Sequence, residues 1–512
     1  MNAAESLLQT ALDAGVEVCF ANPGTTEMPL VAALDRFRGV RAVLGLFEGV
    51  CTGAADGYGR MADRPAMTLL HLGPGFANGI ANLHNARRAR TPIVNVIGDH
   101  TTGHVRYDAP LTSDIESLAR PVSGWVRTNT SPETLAADFA AAVAASRRPP
   151  GQVASLVVPV DCQWGPGTPP APATAPTRGA ANEERVQAAA LRLREARRPA
   201  LLLGGRALRA GALKEAARVA EVAGASLLSE TFPARHERGA GLPNTTRLPY
   251  FPEQARELLA THDALVLVDA RDPVAFFGYP ETPSRLRPEA VPVVALCADS
   301  DDPADALALL ADALDARKLP ADASVLPPAP ADGPIDPGSL GAILARAQPE
   351  GAVVMDEGAT SGLAYGLSAD AAPPHTVLSL TGGAIGQGLP VATGAAIACP
   401  DRKVIALQAD GSGLYTVQAL WTQARESLDV TTVICANRKY RILQVELARA
   451  GVAEPGPKAI GLTELTNPSI DWVSLGRGFG VPSARVETNR ALAEELVAAM
   501  ADPGPRLIEA VL

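Results

Sequence analysis

Asp410 and Asn437 are the first residues of this chain whose types and spacing suggest chemistry. Each follows an apolar run: VIALQA precedes Asp410-Gly411-Ser412, and VTTVICA precedes Asn437, 27 positions on (437 − 410). Runs of that composition read as buried parallel strands, and the amphipathic stretch LYTVQALWTQARES between them reads as a crossover helix. Such βαβ units are nearly always right-handed, with parallel strands. If the strands are neighbours, a carboxylate and an amide oxygen leave the sheet at one carboxyl edge, where open α/β sheets bind ligands. With Gly411 admitting close backbone approach, the pair suits a hard divalent cation holding a phosphate. Asp-Gly after a strand and Asn at a strand end are equally ordinary turn chemistry. Support must come from elsewhere in the chain.

A second acid, Glu48, follows the run AVLGLF directly and heads GVCTGAADGYGRMA. Acids at helix starts commonly complement the helix dipole. This one has apolar and small residues on both sides, a setting that suits proton transfer better than solvation. His71 ends the run AMTLLHL, and His100 and His104 lie in GDHTTGHVRYDAP beyond the next run. Each histidine can line a pocket mouth or simply be satisfied by local backbone. TGGAIGQG (381–388) also fits the glycine pattern of short-chain dehydrogenases, which points to a nicotinamide oxidoreductase. Those enzymes pair Tyr with Lys four residues on, and none of the seven Tyr here is so followed. Gly204-Gly205 could approach a nucleotide phosphate, but no G-x-G-x-x-G accompanies it.

The elements that must position these residues are doubly wound. Two proline-rich linkers, 165–178 and 319–338, divide the 512 residues into expected domains at 1–165, 180–320 and 338–512. All three alternate apolar β-like runs with Ala/Leu/Arg-rich helices, which predicts an α/β chain of three doubly wound parallel sheets. A net charge of −10 with no basic cluster argues against nucleic acid. The uncharged stretch 378–399 is broken by five Gly and Pro390, so a buried strand–loop–helix is expected rather than a membrane span. The six Cys lack CxxC spacing, and the N-terminus reads as an amphipathic helix rather than a signal peptide. A cytoplasmic protein with reduced core thiols is expected.

Together these pieces resemble the thiamine-diphosphate enzymes of the acetolactate synthase, benzoylformate decarboxylase and pyruvate decarboxylase group. The matching segments are NPGTTEMP, FEGVCTGAADGYGR, GGAIGQGLPVATGAA and ADGS…AN. The resemblance implies pyrimidine-binding, middle and diphosphate-binding domains, with active sites at the interface of a homodimer or dimer of dimers. It implies that Asp410, Asn437 and the main-chain carbonyl of Lys439 hold Mg²⁺, and that Thr360, Gly411, Ser412 and Tyr440 surround the diphosphate. Pro23, Gly24 and Thr25 would also lie at the cofactor. Glu48 would share a proton with the aminopyrimidine N1′, the Gly383 carbonyl would receive its 4′-amino group, and Ile385 would wedge the cofactor.

The implied activity is decarboxylation of a 2-oxo acid with carboligation of the acyl unit, as in acetolactate synthases. Non-oxidative release of an aldehyde, as in benzoylformate decarboxylases, stays open. His71 matches by position a pocket histidine of that decarboxylase, and His100 and His104 would line the same mouth. Its middle-domain histidine has no match here: DARDPVAFFGYPE offers Phe276 and Phe277, which leans toward carboligation. Ile385 leans the other way, since biosynthetic acetolactate synthases usually carry Met. The family's Gly-Asp-Gly and Asn-Asn are Ala409-Asp410-Gly411 and Ala436-Asn437 here, which leaves the ligand of each pair in place. The chain ends soon after its last strand, without the long carboxyl-terminal lid of those synthases, and FAD is not expected.

Overall fold

Apolar runs bounded by Gly, Pro and Asn form parallel strands throughout the chain, which a computed structural model describes over residues 1–174, 176–317, 325–326 and 328–512. Ala175 of the first expected linker, and 319–324 and 327 of the second, lie outside the described residues. The backbone gathers into two compact units. One holds Met1–Pro176, Pro327–Ser368 and Leu380–Leu512; the other holds Thr177–Leu326 and Ala369–Ser379.

The larger unit contains two parallel sheets. In the first, the strands run in the order Arg41–Leu44, Val18–Asn22, Ala66–His71, Ile93–Asp99, Val153–Pro159, Trp125–Thr128. Helices Ala3–Asp13 and Leu135–Arg147 bury Leu7, Leu8, Phe139 and Val143 against it, forming one apolar core with Val94, Val96 and Leu156. In the second, Ser483–Val486, Arg506–Val511, Val430–Ala436, Val404–Ala409 and Val353–Glu357 lie side by side. Strands Val404–Ala409 and Val430–Ala436 are direct parallel neighbours, with Ala409 opposite Cys435. The expected βαβ unit is therefore present. Its crossover is less regular than the sequence suggested, with a short helix Asp410–Gly413, a 3₁₀ turn Leu414–Thr416 and a helix Ala419–Arg425.

The smaller unit carries a five-stranded parallel sheet in the order Thr246–Arg247, Ser226–Ser229, Pro199–Leu203, Ala264–Val268, Val293–Ala295. It also contains one antiparallel pair, His236–Arg238 with His375–Ser379. The three parallel sheets agree with the α/β reading; the antiparallel pair was not foreseen. The stretch 378–399 is the end of a strand, a loop and the helix Gly388–Ala398. No helix among the described residues is long and apolar enough to cross a membrane.

Helix Glu48–Ala62 packs backbone to backbone on helix Gly388–Ala398. A Cβ at Gly57 would overlap the Val391 carbonyl, and one at Gly394 would overlap the Ala54 carbonyl. Small residues at four-residue spacing let the two helices approach this closely, so the start of each helix is held at a fixed distance from the other. Overpacking such a contact costs about 1–3 kcal/mol. Gly57→Val should accordingly lower the thermal midpoint by several degrees in a melting experiment. Gly211→Ala, on an open helix start with nothing within 4 Å, should leave it unchanged or raise it slightly.

Candidate active site

The carboxyl edge of the second sheet brings Asp410 and Asn437 together, as their strands' pairing requires. Asp410 is buried and accepts two backbone N–H groups, Gly411 N to Oδ1 at 2.8 Å and Arg438 N to Oδ2 at 2.6 Å. Arg438 reaches that oxygen by taking a left-handed backbone, φ +57°. Asn437 Oδ1 accepts the Lys439 amide at 3.1 Å, and the loop is tied down by Tyr440 N to the Thr463 carbonyl and Leu465 N to the Arg438 carbonyl. Burial pushes the Asp410 carboxyl above its ordinary pKa, opposed by these N–H donors. A divalent cation would supply the positive charge that this buried acid lacks, and carboxylate, amide and carbonyl oxygens are the donors a hard cation takes. The donor set fits Mg²⁺. No cluster of three His, Cys, Asp or Glu suited to a metal exists among the described residues, so this mixed set is not one that such side-chain counting finds. Ser412 Oγ donates to the Ala409 carbonyl and receives Gln408 Nε2 at 2.6 Å. Thr360 lies in the turn after Glu357, where Ala359 has φ +49°.

Glu48 begins its helix after an extended Phe47, with no side-chain cap. Its Oε2 accepts Asn78 Nδ2 at 3.0 Å, and its backbone carbonyl accepts Thr52 Oγ1. The helix also presents Asp56, fully buried, to the glycine-rich loop 381–388. Asp56 holds Arg60 through two bonds of 2.8 and 2.6 Å, accepts Thr91 Oγ1, and accepts Gln387 Nε2 at 2.5 Å. Arg60 in turn reaches Thr381 Oγ1 at 3.1 Å. From the next helix, Leu72–Ala89, Asn85 exchanges bonds with Ala384 in both directions and His84 Nε2 lies 3.1 Å from the Gly382 carbonyl. Gly383 is left exposed and Ile385 half-buried between these anchors.

The first sheet supplies a cluster that sequence reasoning assembled only in part. Strand order reverses between Val18–Asn22 and its neighbour Ala66–His71, and the loops that follow these strands meet. His71 Nδ1 lies 2.9 Å from Glu27 Oε2 and 3.2 Å from Thr26 Oγ1. Glu27 is fully buried and also accepts the Gly24 amide at 2.6 Å, so the Pro23-Gly24-Thr25 turn is wrapped around this carboxylate. Gly98 is required where it stands, because a Cβ there would overlap the Glu27 carboxylate. Glu27 falls within NPGTTEMP, directly after the polar Thr25-Thr26, and its partner His71 lies 44 residues on, so nothing local marked it. His100 and His104 form a separate pair, ring centroids 5.1 Å apart, with His104 against Tyr107. Asp99 accepts the His100 amide at 2.8 Å, and burial raises its pKa.

Two glycine-rich turns that could have cradled a nucleotide are already filled. In the smaller unit, Gly205 N donates to Glu230 Oε1 at 3.1 Å and Arg206 N to Asp269 Oδ2 at 2.8 Å. In the larger, Gly386 N and Gly388 N both donate to Glu357. Amides at a sheet edge that bind a protein carboxylate are not available to a pyrophosphate. Phe276 and Phe277 are exposed and join Phe232, Tyr250 and Phe251 in an aromatic cluster with centroids 5.1–6.1 Å apart.

Comparison with known proteins places this geometry. Residues 1–118 match the thiamine pyrophosphate enzyme N-terminal TPP binding domain, and residues 356–510 match the C-terminal TPP binding domain. A Mycobacterium tuberculosis protein named "Putative acetolactate synthase large subunit IlvX" is 49% identical over 513 residues, covering 100% of this chain and 99% of that protein. Benzoylformate decarboxylase of Pseudomonas aeruginosa is 30% identical over 531 residues, covering 97% and 96%. The solved thiamine diphosphate-dependent 4-hydroxybenzoylformate decarboxylase of Rhodococcus jostii RHA1 shares the fold, with a TM-score of 0.88 over 100% of this chain and 99% of that one at 24% identity. Both cofactor domains and a relative this similar over its whole length settle the matter: the chain belongs to the family of thiamine-diphosphate-dependent enzymes that includes acetolactate synthases and benzoylformate decarboxylases.

Proposed function

We propose that the protein decarboxylates a 2-oxo acid with thiamine diphosphate and Mg²⁺ and joins the acyl unit to a second carbonyl compound, as an acetolactate synthase does. The observation that carries the reading is the Asp410–Asn437 pair: a buried carboxylate and an amide oxygen at one sheet edge, held by backbone donors alone. When bound, thiamine diphosphate supplies the carbon nucleophile and the electron sink that let carbon dioxide leave. The protein's part is to orient and to move protons. Asp410, Asn437 and the Lys439 carbonyl hold the cation. Gly411, Ser412, Thr360 and Tyr440 line the diphosphate end, with Pro23, Gly24 and Thr25 at the cofactor on the first sheet's edge. Glu48, whose Oε2 accepts Asn78, would exchange a proton with the pyrimidine ring. Gly383 presents its carbonyl and Ile385 its side chain from the loop that Asp56 and Asn85 steady. Assembly as a homodimer or dimer of dimers, with sites at the interface, completes the reading. The filled turns at Gly204-Gly205 and Gly386–Gly388 support a protein without FAD or a nicotinamide cofactor.

A second reading, release of an aldehyde, is favoured by His71. Its Nδ1 is bound to the buried Glu27, so the imidazole is fixed and can deliver a proton to the acyl unit through its other nitrogen. Incubating the holoenzyme with pyruvate and with aromatic 2-oxo acids separates the two. Carboligation yields an acyloin or 2-hydroxy-2-acyl acid, lysis yields an aldehyde, and no product from any 2-oxo acid would sink both.

Two variants test the assigned parts. Glu48→Gln should lower turnover by about 10²–10⁴-fold, the usual worth of a general acid–base group. Its content of thiamine diphosphate, read as thiochrome fluorescence after oxidation, should match wild type. Stripping divalent metal with a chelator should release the cofactor and abolish activity, and Mg²⁺ with fresh cofactor should restore both. Asp410→Ala should resist that restoration.

A further inference from the structure

Glu357 has no part in the chemistry just described, yet it is the side chain on which the loop 381–388 rests. It ends strand Val353–Glu357 with 3% of its surface exposed. One carboxylate oxygen accepts Gly386 N at 2.6 Å; the other accepts Gly388 N and Gln408 Nε2. Gln408 stands beside it on the neighbouring strand, paired in register, and its amide also reaches Ser412 Oγ at 2.6 Å. The Gly386 carbonyl accepts Thr416 Oγ1 at 2.8 Å, so the turn is gripped at two amides and a carbonyl. Burial pushes the Glu357 carboxyl up to about 7 against the pull of these donors. An apolar residue would fill that space without the desolvation cost. What only a carboxylate provides is two acceptors set to bind two N–H groups of one turn at once.

We infer that Glu357 is a positioning residue: its carboxylate fixes the Gly386–Gly388 backbone, and through it Ile385 and the Gly383 carbonyl, in the shape that receives the pyrimidine end of thiamine diphosphate. The inference rests on the cofactor reading above. Glutamine keeps the size of the side chain but turns an amino group toward one of the two N–H donors. Aspartate is one methylene too short to reach both.

The test uses full-length Glu357→Gln and wild type. In the apoprotein, amide hydrogen exchange across 381–388 should speed up by about ten-fold or more in the variant, while the strand Val404–Ala409 stays protected. After loading with thiamine diphosphate and Mg²⁺, the near-ultraviolet circular dichroism of the bound cofactor should weaken. Turnover on the active 2-oxo acid should fall by about ten-fold or more with KM little changed, since the loss falls on cofactor geometry rather than substrate binding. Wild-type exchange, dichroism and turnover in the variant would overturn the inference. If Glu357→Gln does not fold, Gln408→Met removes one donor from the same oxygen and should show the same changes in lesser degree; its matching wild type would overturn it equally. A wild type that binds no thiamine diphosphate would overturn the cofactor reading, and the exchange experiment would still decide whether Glu357 holds the turn.

Discussion

A turn made largely of glycine cannot hold its own shape, and the rest of the site depends on how this one is held. Residues 381–388 contain four glycines, so the backbone has few side chains with which to exclude alternative conformations. Rigidity is imposed from three sides. Glu357 binds its amides from beneath, Asn85 binds Ala384 from the helix Leu72–Ala89, and Asp56 binds Gln387 from the helix Glu48–Ala62. Asp56 can do this only because Gly57 and Gly394 bring two helices into backbone contact. The packing of small residues and the placing of polar anchors are one device: close approach puts a buried carboxylate within reach of a loop more than three hundred residues away.

Acids that accept backbone amides recur at the sheet edges, with different outcomes that follow from their donors. Glu230 and Asp269 neutralise the amides of the Gly204-Gly205 turn, as Glu357 does those of the glycine loop. In both places the protein's own carboxylate sits where a phosphate would. Asp410 differs. It too receives two amides, but the neighbouring parallel strand leads directly into Asn437, whose amide oxygen is a donor of the kind a hard cation takes.

The parts legible in the sequence were those whose signal is local. VIALQADGS and VTTVICAN marked two strands and their ends, and parallel pairing then had to set Asp410 beside Asn437. Glu48 was visible because an acid stood in an apolar context. Glu27, Asp56 and Glu357 had no comparable signal, because their partners are a histidine 44 residues on, an amide 331 residues on and backbone N–H groups 29 and 31 residues on. Backbone donors carry no sequence letter at all. The pairing of His375–Ser379 with His236–Arg238 was hidden for a similar reason: TVLSL reads as one more buried strand, and nothing local says that its partner runs antiparallel.

The choice between ligation and lysis comes down to proton supply. An acyl unit left after decarboxylation is captured by whichever electrophile reaches it first, a proton or a carbonyl. Glu27 favours the proton, since a buried carboxylate on Nδ1 fixes the orientation of the His71 ring and leaves its other nitrogen to face the pocket. His71 is about a quarter exposed, so it stays in exchange with solvent. Capture by a carbonyl depends instead on the concentration of the acceptor. An enzyme capable of both outcomes therefore partitions between products as acceptor is added, whereas an aldehyde-only enzyme is indifferent to it.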